Sequence, residues 1–378
     1  MSDQQTIQGK RILVAPLDWG LGHATRCIPI IDSLLSQKAE VFMAGAGRSR
    51  ILLQNHYPHL EVLELPGYDV QYSSGRQQIF TIGRQIPRLI SVIRKEKRMT
   101  DQWVNKYQLN GIISDNRYGV WSEKVPSVFI SHQLSPALPG GMVWLRKTVH
   151  RMQMQWLKPF SEIWVPDFEG EPNLSGNLSH ISEEISKLRF IGPLSRFQAI
   201  KKLPDQWENP LLQGHSPEIL VVLSGPEPQR SILEKMIYHQ AQRLDKAVWI
   251  VKGKTELKEI RQENHITHIS HLSTHDLCRA LKEAEWVISR SGYSSIMDFY
   301  TLGINNLVLI PTPGQTEQEY LAKQLKEKKI THIYEQSRFD LARAIENPNI
   351  GFLPNFPEAE IKLDHLLGDF FTKCGLFV

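Results

Sequence analysis

Short apolar runs rich in β-branched residues alternate with helix-patterned stretches twice along this chain, with a proline-rich break between the two series. In the first series Arg11–Pro16, Glu40–Ala44, Gly111–Ser114, Ser127–Ser131, Glu162–Val165 and Arg189–Ile191 read as strands. Ala24–Ser36 carries Cys27, Ile30, Ile31, Leu34 and Leu35 at helical spacing, and Ile51, Leu52 and Leu53 mark a second helix. Pro193, Pro204, Pro210, Gly214 and Pro217 then interrupt the rhythm. It restarts at Glu218–Ser224 and continues through Ala247–Val251, Ile266–Ile269, Trp286–Ser289 and Leu307–Ile310. Repeated βα units predict parallel sheets, so the fold class is α/β with two Rossmann-like domains. The expected boundaries are a domain over 1–193, a linker over 194–217, a second domain over 218–353 and a terminal helix within 354–378.

With 378 residues, 41% hydrophobic and 22% charged, the chain can bury two cores without staples. Its three cysteines, Cys27, Cys278 and Cys374, lie far apart, which argues against a disulfide scaffold or a cysteine-built zinc site. The stretch Ile304–Ile310 falls far short of the ~20 apolar residues of a membrane span, and MSDQQTIQGKR has no apolar core for a signal peptide. A net charge of +4 is too small to argue for nucleic acid as a partner. The cytoplasm is the expected location.

Three strand-to-helix junctions carry the chemistry. The first is Asp18-Trp19-Gly20-Leu21-Gly22-His23-Ala24-Thr25-Arg26. Gly20 and Gly22 allow a tight turn, but Thr25 stands where a dinucleotide fingerprint has glycine, which disfavours NAD. His23 lies at the helix start, where the positive helix end favours the neutral imidazole that can act as a base. An ordinary loop-bonding histidine fits the same residues.

The second junction, Ser224-Gly225-Pro226-Glu227-Pro228-Gln229-Arg230, offers a hydroxyl, an unhindered backbone and a cation to a phosphate, although two prolines remove donors. In the third, Arg290, Ser291 and Gly292 supply a cation, a hydroxyl and open backbone beside a helix that Ser294 could cap. Asp298 follows one turn later, where its carboxylate could accept from both ribose hydroxyls. Downstream, Gln315, Glu317 and Gln318 open another helix with acid and amide side chains suited to vicinal sugar hydroxyls, or simply to an ordinary first turn.

Together the segments Gly20–Arg26, Ser289–Gly292 with Asp298, and Gln315–Gln318 resemble glycosyltransferase family 28, whose members are GT-B nucleotide-sugar glycosyltransferases. This group includes the lipid-linked N-acetylglucosaminyltransferase of peptidoglycan synthesis and the diacylglycerol sugar transferases. The resemblance implies two Rossmann-like domains facing across a cleft, with the terminal helix returning to the first. It implies inverting, metal-independent transfer of a hexosyl or N-acetylhexosaminyl group from a UDP-sugar, with no cofactor. His23 and Asp115 are the implied catalytic residues. The implied donor set is Gly22, Ser224, Gly225, Arg230, Leu272, Arg290, Ser291, Gly292, Asp298, Gln315, Glu317 and Gln318. Asp298 departs from the family's usual glutamate, and Pro226 and Pro228 depart from its glycine-rich loop.

Asp18 and His132 are expected on the acceptor side, with Asp115 either a second base or an orienter of His23. Trp144, Leu145, Met152, Met154, Trp156 and Leu157 alternate with Arg146, Lys147, Arg151 and Lys158. A membrane-facing helix suited to a lipid acceptor and an anionic inner membrane face reads this way, as does a helix packed on the sheet, which is the expected case. Two other functions share the motifs: a nucleotide-sugar hydrolase with the same GxGHxxR loop, and a non-catalytic sugar-nucleotide binder.

Overall fold

In a computed structural model the described residues are 7–68, 77–135, 144, 146–181, 183–200, 203, 205–346 and 363–373. The chain groups into two compact units, Met1–Leu194 with Pro357–Val378, and Ser195–Phe356.

The first unit runs β1 (Arg11–Pro16), α1 (Leu21–Ser36), β2 (Glu40–Gly45), α2 (Gly47–His56), β3 (Val62–Glu64), α3 (Gln77–Lys106), β4 (Gly111–Asp115), β5 (Ser127–Ile130), α4 (Arg146–Leu157), β6 (Glu162–Val165) and β7 (Leu188–Phe190). Its seven strands are ordered β3-β2-β1-β4-β5-β6-β7 and every pair is parallel. The strand order reverses between β1 and β4, where Pro16 pairs with Asp115. In an open α/β sheet the crevice beyond the carboxyl ends at such a reversal is where ligands bind.

The second unit runs β8 (Ile219–Val222), α5 (Gln229–Ala241), β9 (Val248–Val251), β10 (Ile260–Glu263), β11 (Ile266–Ile269), α6 (Thr274–Glu283), β12 (Trp286–Ser289), α7 (Tyr293–Leu302), β13 (Leu307–Leu309), α8 (Thr316–Glu327), β14 (His332–Ile333) and α9 (Leu341–Glu346). The order is β10-β11-β9-β8-β12-β13-β14, with its reversal between β8 and β12 and with β10 antiparallel at one edge.

The helix α10 (Leu363–Lys373) belongs to the first unit. Leu366, Leu367, Phe370 and Phe371 join the core built by α1, β1 and β4. Gly111 makes room for this: a Cβ there would lie 2.3 Å from Phe371 Cε1. Ser33 Oγ donates to Asp364 at 2.5 Å, and Arg189 pairs with Asp369 at 3.2 Å. Residues 358–362, included in the helical pattern of the sequence, and Cys374 lie outside the described residues.

The linker expectation is corrected. Ser195 onward clusters with the second unit, and the segment is anchored rather than free. Trp207 is buried against Trp249 with ring centroids 5.1 Å apart, and Asp276 accepts from the amides of Glu208 and Asn209. The prolines interrupt regular structure here without freeing the chain. Helix α4 is the packed helix that the sequence favours. Leu157 is buried in the core and Trp156 rests on Tyr118, leaving Met152 and the preceding Trp144 outward. No helix among the described residues is long and apolar enough to cross a membrane.

Candidate active site

At the reversal of the first sheet, α1 begins after a loop that passes through Gly20 at φ 145°, a conformation that disfavours a side chain. His23 and Arg26, three apart, share one helix face and meet Asp115 at the end of β4. His23 Nδ1 lies 3.0 Å from Asp115 Oδ1 and 2.9 Å from Arg26 Nη2. Arg26 Nε donates to Asp115 Oδ2 at 2.6 Å while its Nη2 donates to Oδ1, a bidentate fork that is fully buried. Cys27 Sγ adds a contact to Oδ2 at 3.6 Å.

The electrostatics follow from this packing. Burial raises the cost of charging His23 and lowers its pKa below 6.5; the neighbouring Arg26 lowers it further, against the opposing pull of Asp115. Burial alone would push Asp115 up, but Arg26 and His23 together hold its carboxyl well below the usual range. Asp115 therefore stays ionised, and its engaged, buried oxygens suit an orienter of His23 better than a second base. The reading of Asp115 as a second base is corrected on that ground.

His132, on the sequence's acceptor side, is instead buried behind Arg26, with Nδ1 3.0 Å from Arg26 Nη1. Asp18 braces the glycine loop. Its Oδ1 accepts from Arg117 Nη2 and its Oδ2 from the Tyr68 amide, both at 3.2 Å. Arg117 is itself buried against Glu96 of α3 at 2.5 Å and donates through Nε to Pro16 O at 2.8 Å. Gly119 permits the approach, since a Cβ there would fall 2.3 Å from Ile93 O. Arg26, Glu96, Tyr68 and Arg117 were not among the expected site residues. Only Arg26 had a signal, its spacing from His23.

In the second unit Ser224 and Gly225 follow β8 and Arg290, Ser291 and Gly292 follow β12, at the reversal of the sheet, but several of the expected residues are already engaged by the protein. Arg290 is fully buried, donating to Ile310 O and Pro311 O at 3.2 Å, Gln229 O at 2.9 Å and Gln336 Oε1 at 2.7 Å. Burial pushes its pKa down to about 10. It ties the loops after β12, β13 and β8 together, so its terminal nitrogens are engaged by the protein itself rather than open for the direct diphosphate contact that the sequence suggested. Arg230 is likewise spent: it pairs with Glu227 and, at 3.1 Å, with Glu234, and is 3% exposed. Ser291 Oγ donates to Gln318 O at 2.9 Å, and Gln318 Oε1 accepts from the Thr312 amide at 2.9 Å. The side chain of Gln318 also bonds Gln315 at 2.5 Å, which makes these residues a framework for the loop.

The cap of α7 is Gly292 rather than Ser294, so no capping side chain bonds the helix start. Gly225 follows half-buried Ser224 at φ 93°, and a Cβ at 225 would lie 3.3 Å from Thr312 Oγ1. Asp298 accepts from Ser195 Oγ at 2.6 Å, and its Oδ2 faces Arg196 Nε at 3.7 Å. Burial raises its pKa, with Arg196 and Ser195 opposing. Two free carboxylate oxygens for a ribose, as the sequence suggested, are not what this geometry offers. Leu272 is buried just after β11, while Gln315 caps α8 and Glu317 lies in its first turn. Gly22 lies in the first turn of α1 in the other unit, beside His23.

Residues 219–349 match the glycosyltransferase family 28 C-terminal domain. No curated protein sequence matches the chain. Solved structures similar over almost the full length include the glycosyltransferase SnogD from Streptomyces nogalater, at 13% identity and a TM-score of 0.57, covering 97% of this chain and 96% of that one. The spinosyn rhamnosyltransferase SpnG is 15% identical with a TM-score of 0.56, covering 96% of each chain. The Streptomyces sp. SF2575 glycosyltransferase SsfS6, complexed with thymidine diphosphate, is 11% identical with a TM-score of 0.55, covering 97% of this chain and 96% of that one. The shared architecture is the GT-B fold.

Proposed function

We propose that this chain, a glycosyltransferase of the GT-B fold with a family 28 type C-terminal domain, moves a hexosyl group from a nucleoside diphosphate sugar to an acceptor hydroxyl with inversion. The observation that carries the reading is the His23–Asp115 pair, set at the sheet reversal with Arg26 locking the carboxylate. When His23 Nδ1–H donates a hydrogen bond to the ionised Asp115, the lone pair of Nε2 is left to take a proton. The acceptor oxygen then attacks the anomeric carbon, its proton passes to Nε2, and the bond from that carbon to the diphosphate breaks. Within the second unit, the α7 N-terminus at Gly292, the loop at Ser224 and Gly225, and the buried charge of Arg290 suit the negative charge of a diphosphate, which the family resemblance assigns to that unit.

UDP is the preferred donor nucleotide on the family resemblance. Thymidine diphosphate in the complex of SsfS6 supports a nucleoside diphosphate more broadly. A lipid-linked acceptor on the cytoplasmic face of a membrane suits the outward Trp144 and Met152 with Lys147 and Arg151, and co-sedimentation with anionic vesicles at low salt tests it.

The deciding experiment incubates the protein with UDP-, TDP- and GDP-sugars, with and without a lipid extract, and follows nucleotide release. Acceptor-dependent release that falls by about 10²–10⁴ in His23→Ala supports the reading. Release of free sugar without acceptor makes the chain a hydrolase, and donor binding without release makes it a binder. Near-normal turnover in both His23→Ala and His23→Asn removes His23 as the base.

A further inference from the structure

The loop that leads into His23 carries a tryptophan whose exposure the proposed reaction does not explain. Trp19 is 47% exposed, although the chain on either side of it is fixed. Ser49 Oγ, buried at the start of α2, reaches Leu17 O at 3.3 Å and Gly20 O at 3.1 Å. Asp18 is clamped by Arg117 and by the Tyr68 amide. Tyr68 is buried and held by Glu96 through its hydroxyl at 2.7 Å, and the Trp19 ring meets it edge to face, with centroids 6.2 Å apart at 87°. The indole is thus propped on a buried ring rather than covered, and no hydrogen bond fixes its N–H among the described residues.

A large aromatic ring half exposed on a loop whose backbone is held, four residues before His23, is a contact surface that needs little ordering when a ligand arrives. We propose that Trp19 is a stacking platform for the acceptor, taking a ligand that presents the flat face of a ring to the indole, with a pyranose as the first choice. The C–H bonds on one face of a pyranose are polarised by the neighbouring oxygens and meet the negative face of the indole, while the indole N–H can donate to a ring hydroxyl. A planar aromatic ring offers the same face-on contact. The assignment to the acceptor rests on the role proposed for His23, which opens α1 four residues later.

The test uses the full chain labelled with 5-fluorotryptophan, with Trp19→Phe identifying the Trp19 resonance in the fluorine spectrum. Methyl β-glucopyranoside, methyl N-acetyl-β-glucosaminide and 4-methylumbelliferone are titrated separately, with glycerol as a ring-free control. A saturable shift of the Trp19 signal with either pyranoside supports the proposal. A shift with the umbelliferone alone keeps the platform and assigns it to aromatic acceptors. No shift with any ring, or an equal shift with glycerol, overturns it. In turnover assays Trp19→Ala should raise the acceptor KM roughly two- to tenfold with a smaller change in kcat, and Trp19→Phe should restore most of it. If the transfer reading is wrong, no variant turns over yet the ring-induced shift remains. If only the platform is wrong, wild type and Trp19→Ala turn over alike.

Discussion

Replacing Arg26 by methionine keeps the volume of the side chain and removes the charge that holds Asp115. The wild-type contact is a two-pronged, solvent-excluded ion pair, with Nε at 2.6 Å and Nη2 on the second oxygen. Removing one member of such a pair leaves a buried carboxylate uncompensated, at a cost of about 3–5 kcal/mol. The loss should depend on pH in a determined direction. In wild type, Asp115 has a folded pKa below its unfolded value, so its contribution is present above about pH 4 and is lost only in stronger acid.

In Arg26→Met the missing positive charge can be replaced only by a proton, on His23 or on Asp115. The folded variant then binds more protons than the unfolded chain, so its stability falls as pH rises, by up to about 1.4 kcal/mol per unit while one extra proton is held. The gap between wild type and variant should therefore be widest near pH 7 and narrow toward pH 5. Urea denaturation across that range measures it. The same change removes the second of the causes depressing His23, so the acid limb of kcat/KM should move to higher pH. The double variant Arg26→Met/Asp115→Asn should be less destabilised than the two single losses combined. A penalty under about 1 kcal/mol at pH 7, or one that grows on acidification, would refute the account of the site given above.

Gly111→Ala should lower the melting temperature, because its methyl group would sit 2.3 Å from Phe371 Cε1 in a packed core; overpacking of this kind costs about 1–3 kcal/mol, and calorimetry on the whole chain reads it. Arg290→Lys should weaken donor-nucleotide binding in titration calorimetry, because a lysine cannot serve four acceptors spread over three loops. Arg230→Gln should change that affinity far less, since its charge is already met by Glu227 and Glu234; equal losses in both variants would restore Arg230 as a ligand.

The alternation of strand and helix patterns was legible because each buried strand is a continuous apolar run, as in Arg11–Pro16 and Ile219–Val222. Strands β3, β10 and β14 escaped because they are edge or near-edge strands of two to four residues; Ile260–Glu263 has polar residues at its centre and Val62–Glu64 is too short to show a period. The His23–Arg26 spacing was visible because it is local. Glu96 and Arg117 were not, since neither has a neighbouring residue that hints at the other, and the fold alone brings them to 2.5 Å. Arg290 shows the opposite error. Sequence places a cation beside glycine and serine at a helix start, but it does not reveal that the carbonyls of Ile310 and Pro311 lie within reach of the guanidinium.

The return of α10 to the first unit has a consequence for how the protein is made. The core around Gly111 and Trp164 is closed by Phe370 and Phe371, which are synthesised only after the whole second unit. The first unit therefore waits through synthesis with an open apolar groove, while the second can complete itself from contiguous chain. The first unit thus precedes the second in synthesis but cannot close its core until the second is made.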